Sequence, residues 1–240
     1  MRLVDAPSPN YGPRTAPPDM IILHYTGMPT AEGALERMRT PDSEVSAHYL
    51  VDETGLVYAL VPEAQRAWHA GKSFWRGETD INSLSIGVEI ANPGDEFGYE
   101  PFPDAQIAAV IELLTDIRTR WTIPDARILG HSDIAPGRKK DPGELFPWKR
   151  LAQAGHGLWA EPSPAPGAAL REGDTGTGVF ALQAGLTRLG YDCAPSGDYD
   201  AWTATVVTAF QMHWRPWLAD GGADGETRAR LIALLRLAAA

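Results

Sequence analysis

The chain has 240 residues, a formal net charge of −10, 44% hydrophobic residues and a single cysteine, Cys193. That length supports one large or two modest domains; the acidity argues against a nucleic-acid partner, whose phosphates reward a basic surface; one thiol excludes both an internal disulfide and a thiolate zinc finger. No apolar run approaches the ~20 residues that cross a bilayer, and the first residues, MRLVDAPSPNYGPR, lack the marks of a secretory signal, so the reading is of a cytoplasmic protein unless a signal has been trimmed.

Residues 1–19 are rich in proline and polar residues and read as an irregular lead-in. MIILHY, residues 20–25, is a short, partly β-branched apolar run that predicts a buried central strand. It ends on His24, before a Thr26-Gly27 loop. Residues 29–39 predict a short helix, with Leu35 and Met38 at i, i+3 and Pro41 beyond the end. Residues 47–52 and 56–61 flank Glu53-Thr54-Gly55 and predict a hairpin. Residues 66–71 lack a clear period and read as a loop or strand edge. Residues 84–90 alternate as a strand, with Glu89 between Val88 and Ile90. Pro103-Asp104 opens a helix whose apolar face carries Ile107, Val110, Ile111, Leu114 and Ile117. Residues 127–130 form a short strand that delivers His131, and residues 142–151 predict a closing helix.

Strands mixed with helices make residues 1–155 an α/β unit around one sheet. Residues 156–169 hold prolines and glycines without a period and read as a linker with few contacts, so the units on either side are expected to fold separately. Residues 170–240 then carry helical spacing at Val179, Leu182, Gln183, Leu186 and Leu189 before Gly190. The same holds at Val206, Val207 and Phe210, and at Leu231, Ile232 and Leu235 after Asp224. The expectation is a small all-α, three-helix C-terminal domain.

The chemistry centres on GHSDIAPGRKKDPG, residues 130–143. Ala135-Pro136-Gly137 breaks any regular element, so the loop can fold back and bring Asp141 near His131. His24 ends another strand, and strand ends at one edge of an open α/β sheet are where ligands bind. His24, His131 and Asp141 make three zinc ligands and leave the fourth position open, the pattern of a catalytic rather than a structural site. Glu89, among apolar neighbours, is the candidate base. Lys139 is the candidate cation for an oxyanion. Taken singly, each residue also fits a blander role: a packed histidine, a glutamate on a solvent face, a solvated lysine.

The segments IILHYTG, SAHYLVDETG, RAWHAG, SIGVEIAN and GHSDIAPGRKKDPGELFPW occur in this order. Together they resemble the zinc-dependent N-acetylmuramoyl-L-alanine amidases of the type 2 amidase family, relatives of the peptidoglycan recognition proteins. The resemblance covers residues 10–150. It implies a mixed central β-sheet flanked by helices. It also implies one zinc ion on His24, His131 and Asp141, with Glu89 as base and Lys139 as stabilising cation. VFALQAGLTRLGY, DYDAWTATVVTAFQ and DGETRARL resemble the three-helix peptidoglycan-binding domain, although GDYDAWT departs from the commoner G-x-x-G-x-x-T loop. Arg66, Trp68, His69 and Asn92 are candidates to line the sugar–peptide groove, and Trp68 equally fits a core position. The implied activity is cleavage of the amide between N-acetylmuramic, or anhydro-N-acetylmuramic, acid and L-alanine, in cell-wall recycling. A non-catalytic recognition protein and a periplasmic wall-remodelling amidase are the alternatives. Polymeric wall and soluble muropeptide both remain open as substrate, and nothing in the residues specifies an oligomeric state.

Overall fold

A computed structural model describes residues 1–239. The strands are β1 (Arg2–Asp5), β2 (Tyr11–Pro13), β3 (Met20–Tyr25), β4 (Tyr49–Val51), β5 (Leu56–Ala59), β6 (Gln65–Ala67), β7 (Ser85–Ile90) and β8 (Ile128–Gly130). The helices of the first unit are α1 (Ala31–Arg39), α2 (Ile81–Leu84), α3 (Gly94–Phe97), α4 (Asp104–Arg120), α5 (His131–Ile134) and α6 (Trp148–Gln153). Those of the second are α7 (Thr177–Leu189), α8 (Ala201–Trp214) and α9 (Gly225–Leu237). No described helix is long and apolar enough to cross a membrane.

Six strands form one mixed sheet in the order β1-β5-β4-β7-β3-β8. All its pairs are parallel except β4–β5, the expected hairpin. β3 lies between β7 and β8, and its first five residues are buried, as the apolar run requires. Strand alternation divides it. Ile21 and Leu23 belong to a core with Val88, Ile90 and the α4 residues Ile107, Val110, Leu114 and Ile117. Met20 and Ile22 belong to a second core, on the other side. A parallel strand needs cover on both faces, and this second cover is partly supplied by the C-terminal helices.

The lead-in is not irregular. β1 runs parallel to β5, and β2 pairs antiparallel with β6. All four β1 residues are exposed, so no burial pattern announces the strand; backbone pairing alone makes it. The closing helix is shorter than expected, because residues 142–147 form turns bounded by Pro142 and Pro147 and only α6 follows. In α9, Leu231 and Leu234 are buried while Ile232 is exposed, which corrects its inward assignment: i, i+3 share a face and i+1 turns away.

The linker is no loose tether. His156 is buried, with Nε2 2.9 Å from Thr115 Oγ1 on α4. Trp214 Nε1 donates to the Leu158 carbonyl at 3.0 Å, and Arg230 Nη1 donates to the Ala160 carbonyl. The second core continues from Met20, Ile22, Leu129, Ile134 and Trp75 into Tyr191, Leu186, Phe210 and Trp214 of the helical unit. The two units therefore share a buried seam, contrary to the few contacts that proline and glycine content suggests.

Candidate metal centre and its cleft

Three parallel neighbours, β7, β3 and β8, deliver the central residues to one edge of the sheet. His24 stands opposite Glu89 in the β3–β7 register. His131 directly follows β8 and opens α5, which consists of one turn closed by the Ala135 amide on the His131 carbonyl at 3.0 Å. Gly137, at φ 72°, turns the chain back. The Ser132 amide then donates to the Asp141 carbonyl at 2.9 Å and ties Asp141 beside His131.

Asp141 Oδ2 lies 2.9 Å from His24 Nδ1 and 3.0 Å from His131 Nδ1, and the two Nδ1 atoms are 2.9 Å apart. All three residues are buried, and one ligand atom from each falls within 4.8 Å of the others. The outer nitrogens define the protonation. His131 Nε2–H donates to the Ala70 carbonyl at 3.0 Å. His24 Nε2–H donates to His69 Nδ1 at 3.0 Å; His69 Nε2–H donates to Ser85 Oγ at 3.2 Å; Ser85 Oγ–H donates to the Ile81 carbonyl at 2.6 Å. With both Nε2 atoms serving as donors, both Nδ1 atoms present lone pairs. Three acceptors facing one another at this distance repel unless a cation lies among them, so the residues fit a metal ion.

The electrostatics agree. Burial, with His131 second, pushes the His24 imidazole down to about 4, so it stays neutral and able to ligate. Burial alone raises the Asp141 carboxyl, but the charge and hydrogen bonding of His131 and His24 outweigh it and hold the group below its usual range. Glu89 goes the other way. Burial and then the Asp141 charge raise it well above the ordinary carboxylate value, against the pull of Lys139. Its Oε2 is buried with no hydrogen-bond partner, the state of a group kept free to hold a proton.

These atoms open onto a cleft of about 530 Å³, which Trp68, His69, Arg37, Arg138 and Lys139 also line. Lys139 is exposed at its rim. Trp68 and His69 thus reach the cleft, though His69 is committed to orienting His24. Arg66 and Asn92 are not among its lining residues. Arg66 pairs on the surface with Asp80 Oδ1 at 3.0 Å. Asn92 is buried and spans its own loop, with Nδ2 donating to the Glu100 carbonyl at 2.7 Å and Oδ1 accepting from the Gly94 amide at 3.0 Å. Both lie in motifs that do contribute cleft residues, and motif membership does not determine where a side chain points. Gly87 is a site residue missed in the sequence. A Cβ there would sit 2.4 Å from the His69 ring. Its signal was legible: a lone glycine inside a strand marks a close approach. Arg37, on α1, carried no such signal.

The donor set is one that fits a metal ion, and it opens onto the cleft. The family model described as N-acetylmuramoyl-L-alanine amidase matches residues 14–144, and one described as a putative peptidoglycan binding domain matches residues 175–231. The chain is 40% identical over 229 residues to the N-acetylmuramoyl-L-alanine amidase AmiD of Escherichia coli (strain K12), covering 90% of this chain and 82% of that protein. It is 33% identical over 163 residues to the 1,6-anhydro-N-acetylmuramyl-L-alanine amidase AmpD of Haemophilus influenzae, covering 60% of this chain and 86% of that protein. The solved complex of the E. coli AmiD with the substrate anhydro-N-acetylmuramic acid-L-Ala-D-gamma-Glu-L-Lys superposes with a TM-score of 0.80 at 38% identity, covering 92% of this chain and 90% of that one. The chain belongs to the N-acetylmuramoyl-L-alanine amidase family.

Proposed function

We propose that this chain is a zinc amidase that cleaves the bond between anhydro-N-acetylmuramic acid and L-alanine in soluble muropeptides, in cell-wall recycling. The observation that carries this is the convergence of two imidazole lone pairs and one carboxylate beside an unpartnered Glu89 Oε2. The substrate class is supported by the AmiD complex with an anhydro-muropeptide and by the name of the AmpD relative.

His24 Nδ1, His131 Nδ1 and Asp141 Oδ2 would hold one zinc ion. When bound, zinc supplies a Lewis acid that polarises the scissile carbonyl and makes water acidic enough to attack near neutral pH. Glu89 Oε2 takes the proton of the attacking water and passes it to the leaving amine of L-alanine; its raised proton affinity suits both transfers. Lys139, at the rim, faces the negative charge that develops on the carbonyl oxygen. The wall of Trp68 and Met28 gives the substrate an apolar surface. A purely non-catalytic binder has no use for an unpartnered carboxylate oxygen on the strand beside the ligand set.

Metal analysis and a hydrolysis assay test the proposal together. The purified protein is expected to carry about one zinc, to lose activity to a chelator and to regain it with zinc. His131→Ala should lower zinc affinity by several kcal/mol, of the order expected when one of three ligands is lost. Full zinc occupancy in that variant would discard the ligand set. Faster cleavage of intact sacculi than of soluble anhydro-muropeptides would replace the substrate with polymeric wall.

A further inference from the structure

The side of α5 away from the cleft is held by the helical unit. Asp133, two residues after His131, is completely buried. Its Oδ2 accepts from the Gly130 amide at 2.8 Å and from His213 Nδ1 at 2.7 Å; its Oδ1 accepts from the Tyr191 hydroxyl at 2.6 Å. His213 lies on α8 and Tyr191 follows α7, so two of these three donors come from across the seam.

The donors are themselves fixed. The His213 ring is stacked between Trp148 of the α/β unit, at 3.6 Å between centroids, and Trp214, at 3.7 Å. Its Nε2 is buried without a partner, so the side chain offers Nδ1–H and nothing else. Tyr191 packs edge-on against Trp75 at 5.0 Å. Gly190 allows the approach: a Cβ there would lie 2.3 Å from the Trp75 ring.

A one-turn helix has almost no internal ladder and takes its orientation from outside contacts. This turn carries His131, and through the Ser132 amide it also fixes the backbone of Asp141. Two of the three ligand residues therefore hang on a turn whose far side is gripped by the helical unit. The loop between them touches α8 as well, since a Cβ on Gly137 would meet Thr205 Cγ2 at 2.9 Å.

We propose that the helical unit is a positioning clamp for the metal centre, with His213 and Tyr191 acting through Asp133 to set the orientation of the turn that carries His131 and Asp141. The inference rests on the zinc reading above and assigns the helical unit a role apart from wall binding. His213 and Tyr191 are positioning residues; neither reaches the cleft.

The test uses the full-length chain and measures zinc affinity by competition with a chelator, the absorption spectrum of the cobalt(II)-substituted protein, and the melting temperature of the metal-free protein. His213→Phe keeps the aromatic stack and removes the donor. His213→Asn loses the stack and keeps an N–H near the position of Nδ1. Tyr191→Phe removes one hydroxyl. Zinc affinity should fall roughly 10-fold or more in His213→Phe and Tyr191→Phe, the scale for groups that orient metal ligands, with an altered cobalt spectrum. His213→Asn should recover most of the affinity although its melting temperature falls. The reverse order, with His213→Phe like wild type and His213→Asn weak, makes the contact simple packing and overturns the proposal. Should His213→Phe fail to fold, Tyr191→Phe carries the same comparison, and wild-type affinity in it overturns the clamp. A wild-type chain that takes up no zinc overturns the zinc reading and this inference with it. A wild type that binds zinc, with all variants equal to it, overturns the clamp alone.

Discussion

Two histidine–aspartate clusters lie on opposite sides of one short turn, and they differ in where their protons are. On the seam side, each contact to Asp133 joins a donor to an acceptor: His213 Nδ1–H, the Tyr191 hydroxyl and the Gly130 amide. The carboxylate of that cluster is satisfied without a cation. On the cleft side, His24 and His131 spend their N–H groups outward, on His69 and on the Ala70 carbonyl, so the inward atoms are all acceptors. That cluster fits a cation. The residue types are the same, but His24 and His131 turn their N–H groups outward to fixed partners, whereas His213 turns its N–H to Asp133 and leaves Nε2 buried without a partner. His48 is also buried: Nδ1 accepts from the Gly87 amide at 2.9 Å, and Nε2 lies 3.1 Å from the Gln65 carbonyl and 2.7 Å from Arg14 Nη2.

The largest effect that can break this comparison comes from the cleft. Glu89→Gln keeps the size of the side chain and removes its capacity to take a proton. We expect zinc content to be retained and kcat to fall by roughly 100-fold or more, the scale of a general base. Steady-state kinetics on a soluble anhydro-muropeptide, paired with metal analysis, gives the answer; an unchanged kcat would make Glu89 an ordinary strand residue.

A smaller effect tests whether the buried His48 ring is neutral. Burial, followed by the Arg14 charge, pushes His48 from 6.5 down to about 3, so the folded chain keeps it neutral. The unfolded chain binds that proton below about pH 6.5. Between those values the unfolded state holds more protons, so stability present above pH 6.5 is lost as the pH falls. For His48 alone the loss from pH 7 to pH 5 is about 2 kcal/mol. Urea midpoints of the metal-free protein should drop over this interval. A midpoint that holds steady or climbs would mean that the buried ring is charged.

The smallest effect lies outside both clusters. Arg66 and Asp80 form a surface pair with side chains 30% and 45% exposed. Such pairs contribute about 0–1 kcal/mol, so Arg66→Ala should melt close to wild type, with KM unchanged. A several-fold rise in KM would place Arg66 on the substrate path.

Much of this was legible in local pattern. The apolar run that forms β3, the helical period of α4 and the spacings of α7 and α8 each reflect one periodicity, and a side-chain period is a property of neighbours in the chain. The strand ends carrying His24 and His131, and the broken loop returning to Asp141, followed from the same reasoning. β1 was illegible because its exposed residues bury nothing and its strand character comes only from pairing with β5. Ile232 was misplaced because in α9 an apolar residue stands one step off the buried face.

What the residues alone determined, then, was which segments have an apolar face and which side chains stand at strand ends, since both follow from the geometry of a few consecutive residues. Only the tertiary structure decided what covers each face and which atom of each polar group is already engaged. Asp133 and His213 lie 80 positions apart and Asp133 and Tyr191 lie 58 apart; no period within a helix or strand encodes a meeting at that separation. The seam forms because Met20 and Ile22 leave the second face of a parallel strand to be covered, and Trp75, Ile134 and the helical unit extend the core that covers it. Once that packing places Tyr191 and His213 over the turn, a buried carboxylate between them has donors, and the lone pairs on the opposite side of the turn are left facing the cleft.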